Sequence, residues 1–138
     1  MKIILSAIFL LSIMSAAHAQ TSLHIYGKSW HSGSERYRET NTGLGIEHRI
    51  NPKWSLALGT FQNSLDRQSV IGFGKYHWRQ YGHWQINVNL GLVTGYDSMA
   101  VAPAMLPEVC WRWICTMSVP AVGSETSAAA AFYLRIPL

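Results

Sequence analysis

The residues in this chain that could do chemistry lie in two short stretches. His31 ends one run of alternating residues, and Asn63, Ser64 and Asp66 stand in a connection between two others. A His, a Ser and an amide or carboxylate are the minimum parts for activating a hydroxyl in acyl transfer. The imidazole takes a proton, and a neighbouring polar group orients it or holds an oxyanion. A connection that only turned the chain would use Gly, Pro or Asn-Gly, whereas residues 62–68 read QNSLDRQ. The plainer reading is an interfacial His31 beside Trp30 and a solvated loop serine, since polar loop residues are common.

The elements that must position these residues read as strands, because the dominant period is two. In WQINVNLGLVTGY (84–96), Trp84, Ile86, Val88, Leu90, Leu92, Thr94 and Tyr96 make one face. Gln85, Asn87, Asn89, Gly91, Val93 and Gly95 make the other. An apolar face with aromatics at its ends suits a strand whose apolar side meets lipid. GLGIEHRI repeats the pattern, with Glu47 and Arg49 on the face opposite Leu44 and Ile46. Such charges are expected to pair inside a barrel rather than in a dry core. Eight strands are expected, at about 22–31, 41–50, 53–61, 69–78, 84–96, 102–111, 114–121 and 128–137. Short connections (51–53, 79–83, 112–113) alternate with longer polar ones (32–40, 62–68, 97–101, 122–127). The expected fold is therefore all-β, an eight-stranded antiparallel transmembrane β-barrel of the bacterial outer membrane, with short turns toward the periplasm. His31 and Ser64 then share the outward end.

Composition agrees. Charged residues are only 13% of the chain, against about 25% in soluble domains. MKIILSAIFLLSIMSAAHA (1–19) reads as a secretory signal with an Ala-His-Ala cleavage site, leaving 20–138 as one barrel domain. No Lys/Arg run marks a nucleic-acid partner. Cys110 and Cys115 face each other if the chain turns at Arg112-Trp113, which makes a disulfide possible in an exported chain. His24, His48, His77 and His83 show no metal-ligand spacing, so neither metal nor cofactor is expected.

Several short motifs, taken in order, resemble the lipid A palmitoyltransferase (PagP) family of outer-membrane barrel enzymes. SWH (29–31) is similar to that family's TWH, RYRETNTGLG (36–45) to its Tyr-Asn-Glu segment, FQNS (61–64) to its FKDS, and IGFGKYHW (71–78) to its Gly-Tyr-Gly-Trp strand. LGLVTGYD…APAMLPEV and TMSVP resemble its later strands. The resemblance spans most of 27–138. It implies palmitoyl transfer from an outer-leaflet phospholipid to a lipid A hydroxyl by a monomer, with His31, Asn63 and Ser64 catalytic. It also implies that Gly72 and Gly74 make room for the acyl chain, Gly74 as its floor, and that Pro107 and Pro120 open a lateral gap for lipid.

The chain departs from the pattern at Asn63, which stands where the family has aspartate. Either the charge is not needed, or Asp66 replaces it, or activity is lost. After the expected cleavage before Gln20, only about seven residues precede Gly27, too few for the family's N-terminal helix. Two other readings stay open: a non-catalytic lipid- or surface-binding barrel, with its interior filled by side chains, and a lipid A deacylase. The deacylase would use a Ser-His pair opening toward lipid outside the barrel.

Overall fold

Strict alternation leaves one question per strand: which face goes inside. A computed structural model answers it for residues 20–32, 38–96, 99–119 and 129–138, the residues described here. The segment 1–19, the loop at 122–127 and Pro120 lie outside them.

Eight strands run antiparallel in sequence order: β1 (Thr21–His31), β2 (Thr40–Arg49), β3 (Trp54–Gln62), β4 (Gln68–Tyr81), β5 (Trp84–Tyr96), β6 (Met99–Trp111), β7 (Ile114–Val119) and β8 (Ala129–Pro137). Each pairs with its neighbour, and β1 pairs with β8 to close the barrel. Closure removes the sheet edges that would otherwise remain unpaired. Two strands differ in extent from the expectation. β4 continues to Tyr81 through an irregularity between His77 and Arg79, so the turn shrinks to Gly82-His83. Gly82 supplies the left-handed backbone that a two-residue turn needs (φ 57°). β6 starts at Met99, inside the expected loop.

The polarity of the two faces is inverted relative to a water-soluble barrel. Leu44, Ile46, Leu56, Leu58, Leu90, Leu92, Met105 and Leu134 point outward and are exposed. His24, Glu47, Lys75, Asn87, Asn89 and Glu108 point inward and are buried. A charge inside a low-dielectric wall needs close partners, and these have them. Lys75 Nζ donates to Glu47 (2.7 Å) and to the Tyr133 hydroxyl (3.0 Å), and lies 3.0 Å from Glu108. His24 Nε2 lies 2.9 Å from Glu47, while Asn87 and Asn89 donate to Glu108 at 2.9 and 3.0 Å. Glu47 thus has the interior role expected of it, while Arg49 stands at the mouth where the short turns lie.

Above this network, toward the long loops, an aromatic layer crosses the interior. Tyr26 sits 5.5 Å from Tyr133 and 5.7 Å from Phe61 by ring centroids. Below it, Cys110 and Cys115 are directly opposed across the Arg112-Trp113 turn, form a disulfide and are fully buried.

Candidate functional site

β1 does not alternate strictly. Its pairing with both neighbours shifts between Tyr26 and Lys28: against β8, Gly27 is an extra, bulged residue, while against β2 the extra residue lies on β2 itself. The consequence is a change of parity. His24 and Tyr26 face inward below the bulge; Ser29 and His31 face inward above it, while Lys28 and Trp30 face out. Bulges re-aim side chains in this way next to functional sites. Here the bulge points His31 into the long-loop mouth.

Ser64 reaches the same point from the other side. Residues 63–67 form a tight loop in which Asp66 N donates to Asn63 O (3.0 Å) and Asn63 N to Arg67 O (2.7 Å). Asp66 takes the left-handed position (φ 62°), which Asp tolerates better than most residues. The loop is tied to the end of the β1–β2 connection by Arg38 N donating to Ser64 O (3.0 Å) and by the Arg38–Asp66 ion pair. Ser64 Oγ then lies 2.8 Å from His31 Nε2. That distance is within reach for proton transfer between a hydroxyl and its base.

Asn63 is fully buried, but its role differs from the one the resemblance implies. Its Oδ1 accepts from Leu65 N and Arg67 N (both 3.0 Å), and its Nδ2 donates to Ser69 Oγ (2.9 Å) and Gly95 O (2.8 Å). These four bonds exhaust the amide. Asn63 is thus a scaffold for the loop that carries Ser64, and none of its four bonds goes to His31. Asp66 is likewise committed, to Arg38 and to Gln62 Nε2 (2.6 Å).

Among the described residues, the carboxylate whose charge acts on His31 is Glu39. His31 stands at the strand end beyond the apolar band. Burial pushes its imidazole below the ordinary value, and the negative charge of Glu39 opposes that shift. Glu39 is brought close because the bulged register sets its carbonyl opposite Ser29, whose N–H it accepts at 2.8 Å. A second inward bond joins Ser29 Oγ to Asn41, whose amide donates to Gln62 O (2.9 Å), fastening β1, β2 and β3 beneath the pair. Sequence reading missed Glu39, Ser29 and Asn41, because their proximity depends on a register shift that no residue type announces.

No protein-family model matches this chain, and no curated protein matches it.

The glycines expected to line an acyl site correct the sequence reading. On β4, Ile71, Phe73 and Lys75 face inward and are buried, so Gly72 and Gly74 face outward. A Cβ at Gly72 would meet Leu58, and one at Gly74 would meet Trp54, both outward side chains. Neither glycine can floor an internal acyl site. Lys75 was the available signal: a cation in mid-strand belongs inside, and its parity sends Gly72 and Gly74 out. The inward glycines serve the aromatic layer instead. A Cβ at Gly59 would lie 2.8 Å from the Tyr26 hydroxyl and 2.9 Å from its ring.

Between the Ser64–His31 pair and the Tyr26–Tyr133 contact, beside the polar Ser29 and Asn41, several inward residues are apolar. Phe61, Val93 and Ala104 pack against the core yet stay only half-buried, as do inward-facing Ala102 and Ala131. Pro107 faces outward on β6. The β6–β7 pairing covers four residue pairs and ends at Glu108 with Met117, one residue before Pro107. Proline has no N–H to continue a ladder.

Proposed function

We propose that this chain is an outer-membrane acyltransferase of the lipid A palmitoyltransferase type, moving an acyl chain from a phospholipid to a lipid A hydroxyl. The observation that carries the reading is the Ser64 Oγ–His31 Nε2 contact of 2.8 Å, aimed into the barrel mouth above small, apolar, half-buried residues. The inverted polarity of the wall supports the membrane location: apolar side chains cover the outside and paired charges fill the inside. Outward apolar bands of this kind are what a barrel presents to lipid.

In this mechanism His31 Nε2 removes the proton from the lipid A hydroxyl, with Ser64 holding the reacting groups in line. The alkoxide oxygen attacks the donor ester carbonyl. Collapse of the tetrahedral intermediate breaks the bond to the glycerol oxygen, and the imidazolium returns its proton to that oxygen. The products are acylated lipid A and a lysophospholipid; no water is consumed. Glu39, rather than Asn63 or Asp66, supplies the negative charge that favours the imidazolium. The acyl chain lies between the pair and the Tyr26–Phe61 layer. Because Phe61 rather than Gly74 faces that space, a chain shorter than palmitate fits it best. The end of the β6–β7 ladder beside Pro107 supports lateral entry.

The inward direction of His31 disfavours the deacylase reading, which needs the pair to open toward lipid. The non-catalytic barrel is favoured by two observations: side chains fill much of the interior, and the Asn63 amide is consumed by its own loop, Ser69 and Gly95. The test is transfer by the purified, folded barrel from a labelled phospholipid to lipid A in mixed micelles. Acylated lipid A is the expected product; label released as free fatty acid indicates a deacylase, and unchanged phospholipid indicates a binding barrel.

A further inference from the structure

The two ends of the barrel differ in charge. Of the seven acidic residues in the chain, Glu47 and Glu108 are buried inside, and Glu39 and Asp66 stand at the long-loop end. The other three, Glu35, Asp97 and Glu125, fall by sequence in the long connections. The short-turn end has none. It carries Arg49 at the end of β2, Lys53 in the β2–β3 turn, Arg79 near the end of β4, Arg112 in the β6–β7 turn and Arg135 near the end of β8. Among the described residues no carboxylate lies within ion-pairing distance of any of these five. Of the five, only Arg135 feels a carboxylate, the buried Glu47; the other cations around the mouth repel one another unless an anion joins them.

Two further observations indicate where that anion sits. A cavity of about 110 Å³ opens at this end, lined by Arg49, His77, Arg79, Gln85 and Asn87 among others. The register shift between His77 and Arg79 places Arg79 opposite outward-facing Ile86, so its charge lies on the perimeter of the barrel wall. The same end carries most of the exposed aromatic side chains: Trp54, Trp78, Tyr81, Trp84, Trp111 and Trp113. Amphipathic rings of this kind settle at headgroup level. Guanidinium groups among them meet phosphate oxygens in a geometry that allows two parallel hydrogen bonds.

We propose that the short-turn end binds the phosphate of an anionic phospholipid headgroup in the adjacent leaflet, through Arg49 and Arg79 in the cavity, with Lys53, Arg112 and Arg135 adding attraction around the mouth. The proposal rests on the membrane reading above, but not on the acyl transfer. A lipid headgroup fits better than a free anion because the perimeter position of Arg79 and the ring of indoles coincide at one level.

The test incorporates the folded chain into phosphatidylcholine nanodiscs containing a minor fraction of phosphatidylglycerol. Lipid retained after transfer to mild detergent is then identified by mass spectrometry. Phosphatidylglycerol is expected to be enriched over its share of the bilayer. The Arg49→Gln/Arg79→Gln double variant is expected to lose about five-fold in enrichment for each charge removed, whereas Lys28→Gln, on the outward face near the other end, leaves it unchanged. A folded, incorporated barrel with no enrichment, or an enrichment indifferent to the double variant, overturns the proposal. Displacement of the retained lipid by millimolar inorganic phosphate alone assigns the site to a free anion and overturns the headgroup. Failure of the chain to enter nanodiscs while it remains folded in plain buffer overturns the membrane reading itself.

Discussion

At His31 the quantity that matters is the proton on Nε2. Burial lowers the imidazole below its ordinary 6.5, and Glu39 pulls the other way. A general base works in its neutral form, so activity is full above the folded pKa and falls as pH drops through it. The acid limb of kcat/KM is expected at a midpoint below 6.5. Glu39→Gln removes the opposing charge and is expected to move that midpoint lower; a limb that rises or stays fixed in this variant would mean that Glu39 does not act on His31. Asn63 gives a second prediction. If position 63 were catalytic, restoring the aspartate of the resembled family would raise activity. Here Asn63→Asp replaces an amide that donates to Ser69 and Gly95 O with a group that cannot donate when ionised. It is expected to cost about 1–3 kcal/mol of stability and to lower transfer, measured by unfolding midpoint and rate together; a gain in rate at unchanged stability would restore a catalytic role to position 63. The meeting of His31 and Ser64 was legible because both stand at strand ends expected to share one mouth of the barrel. The role of Asn63 was not, because scaffolding and catalysis ask for the same amide and only its four bonds separate them.

Among the elements, β3 and β4 decide what the interior can hold. Phe61 on β3 stacks against Tyr26 directly below the candidate pair. Phe61→Ala is expected to lengthen the acyl chain accepted, read as a shift in the chain-length distribution of the product; an unchanged distribution would mean that the chain does not lie in this part of the barrel. The strands themselves were readable to within a few residues, since a period of two is imposed by the pleat. The faces of β5 also came out as the alternation indicated, with Leu90 outward and Asn89 inward. What alternation does not reveal is where it breaks. One residue extra to the β8 pairing, at Gly27, exchanges the faces of β1, and another irregularity after His77 extends β4. Gly72 and Gly74 were misplaced for a different reason: glycine has no side chain to declare its side, and only the parity of Lys75 does so.

For the molecule as a whole, the inverted polarity makes a prediction that separates a membrane barrel from a soluble one. Leu90 is 46% exposed in the middle of β5. Leu90→Arg at the midplane of a bilayer costs about 2–4 kcal/mol, so assembly into lipid is expected to fall while the wild type assembles under the same conditions. In water the same substitution on an exposed side chain would be neutral, and unimpaired assembly would favour a soluble barrel. Barrel closure was legible at this scale from the even strand count and the alternating connection lengths. The charged core was legible only in part: Glu47 announced an interior network, but its partner Lys75 lies 28 positions away, and Glu108, which Lys75 bridges to it, lies 61 away.

The most direct measurement is mass spectrometry of lipid A from a Gram-negative host that lacks its own acyl-transferring barrel and expresses either this chain or Ser64→Ala. Lipid A heavier by one acyl group is expected with the native chain, and a loss of about 10²–10⁴-fold in that product with Ser64→Ala at equal amounts of folded barrel. Unmodified lipid A from a native barrel shown to be folded in the outer membrane would contradict the acyl-transfer reading, and a Ser64→Ala form as active as the native chain would remove the serine from the mechanism.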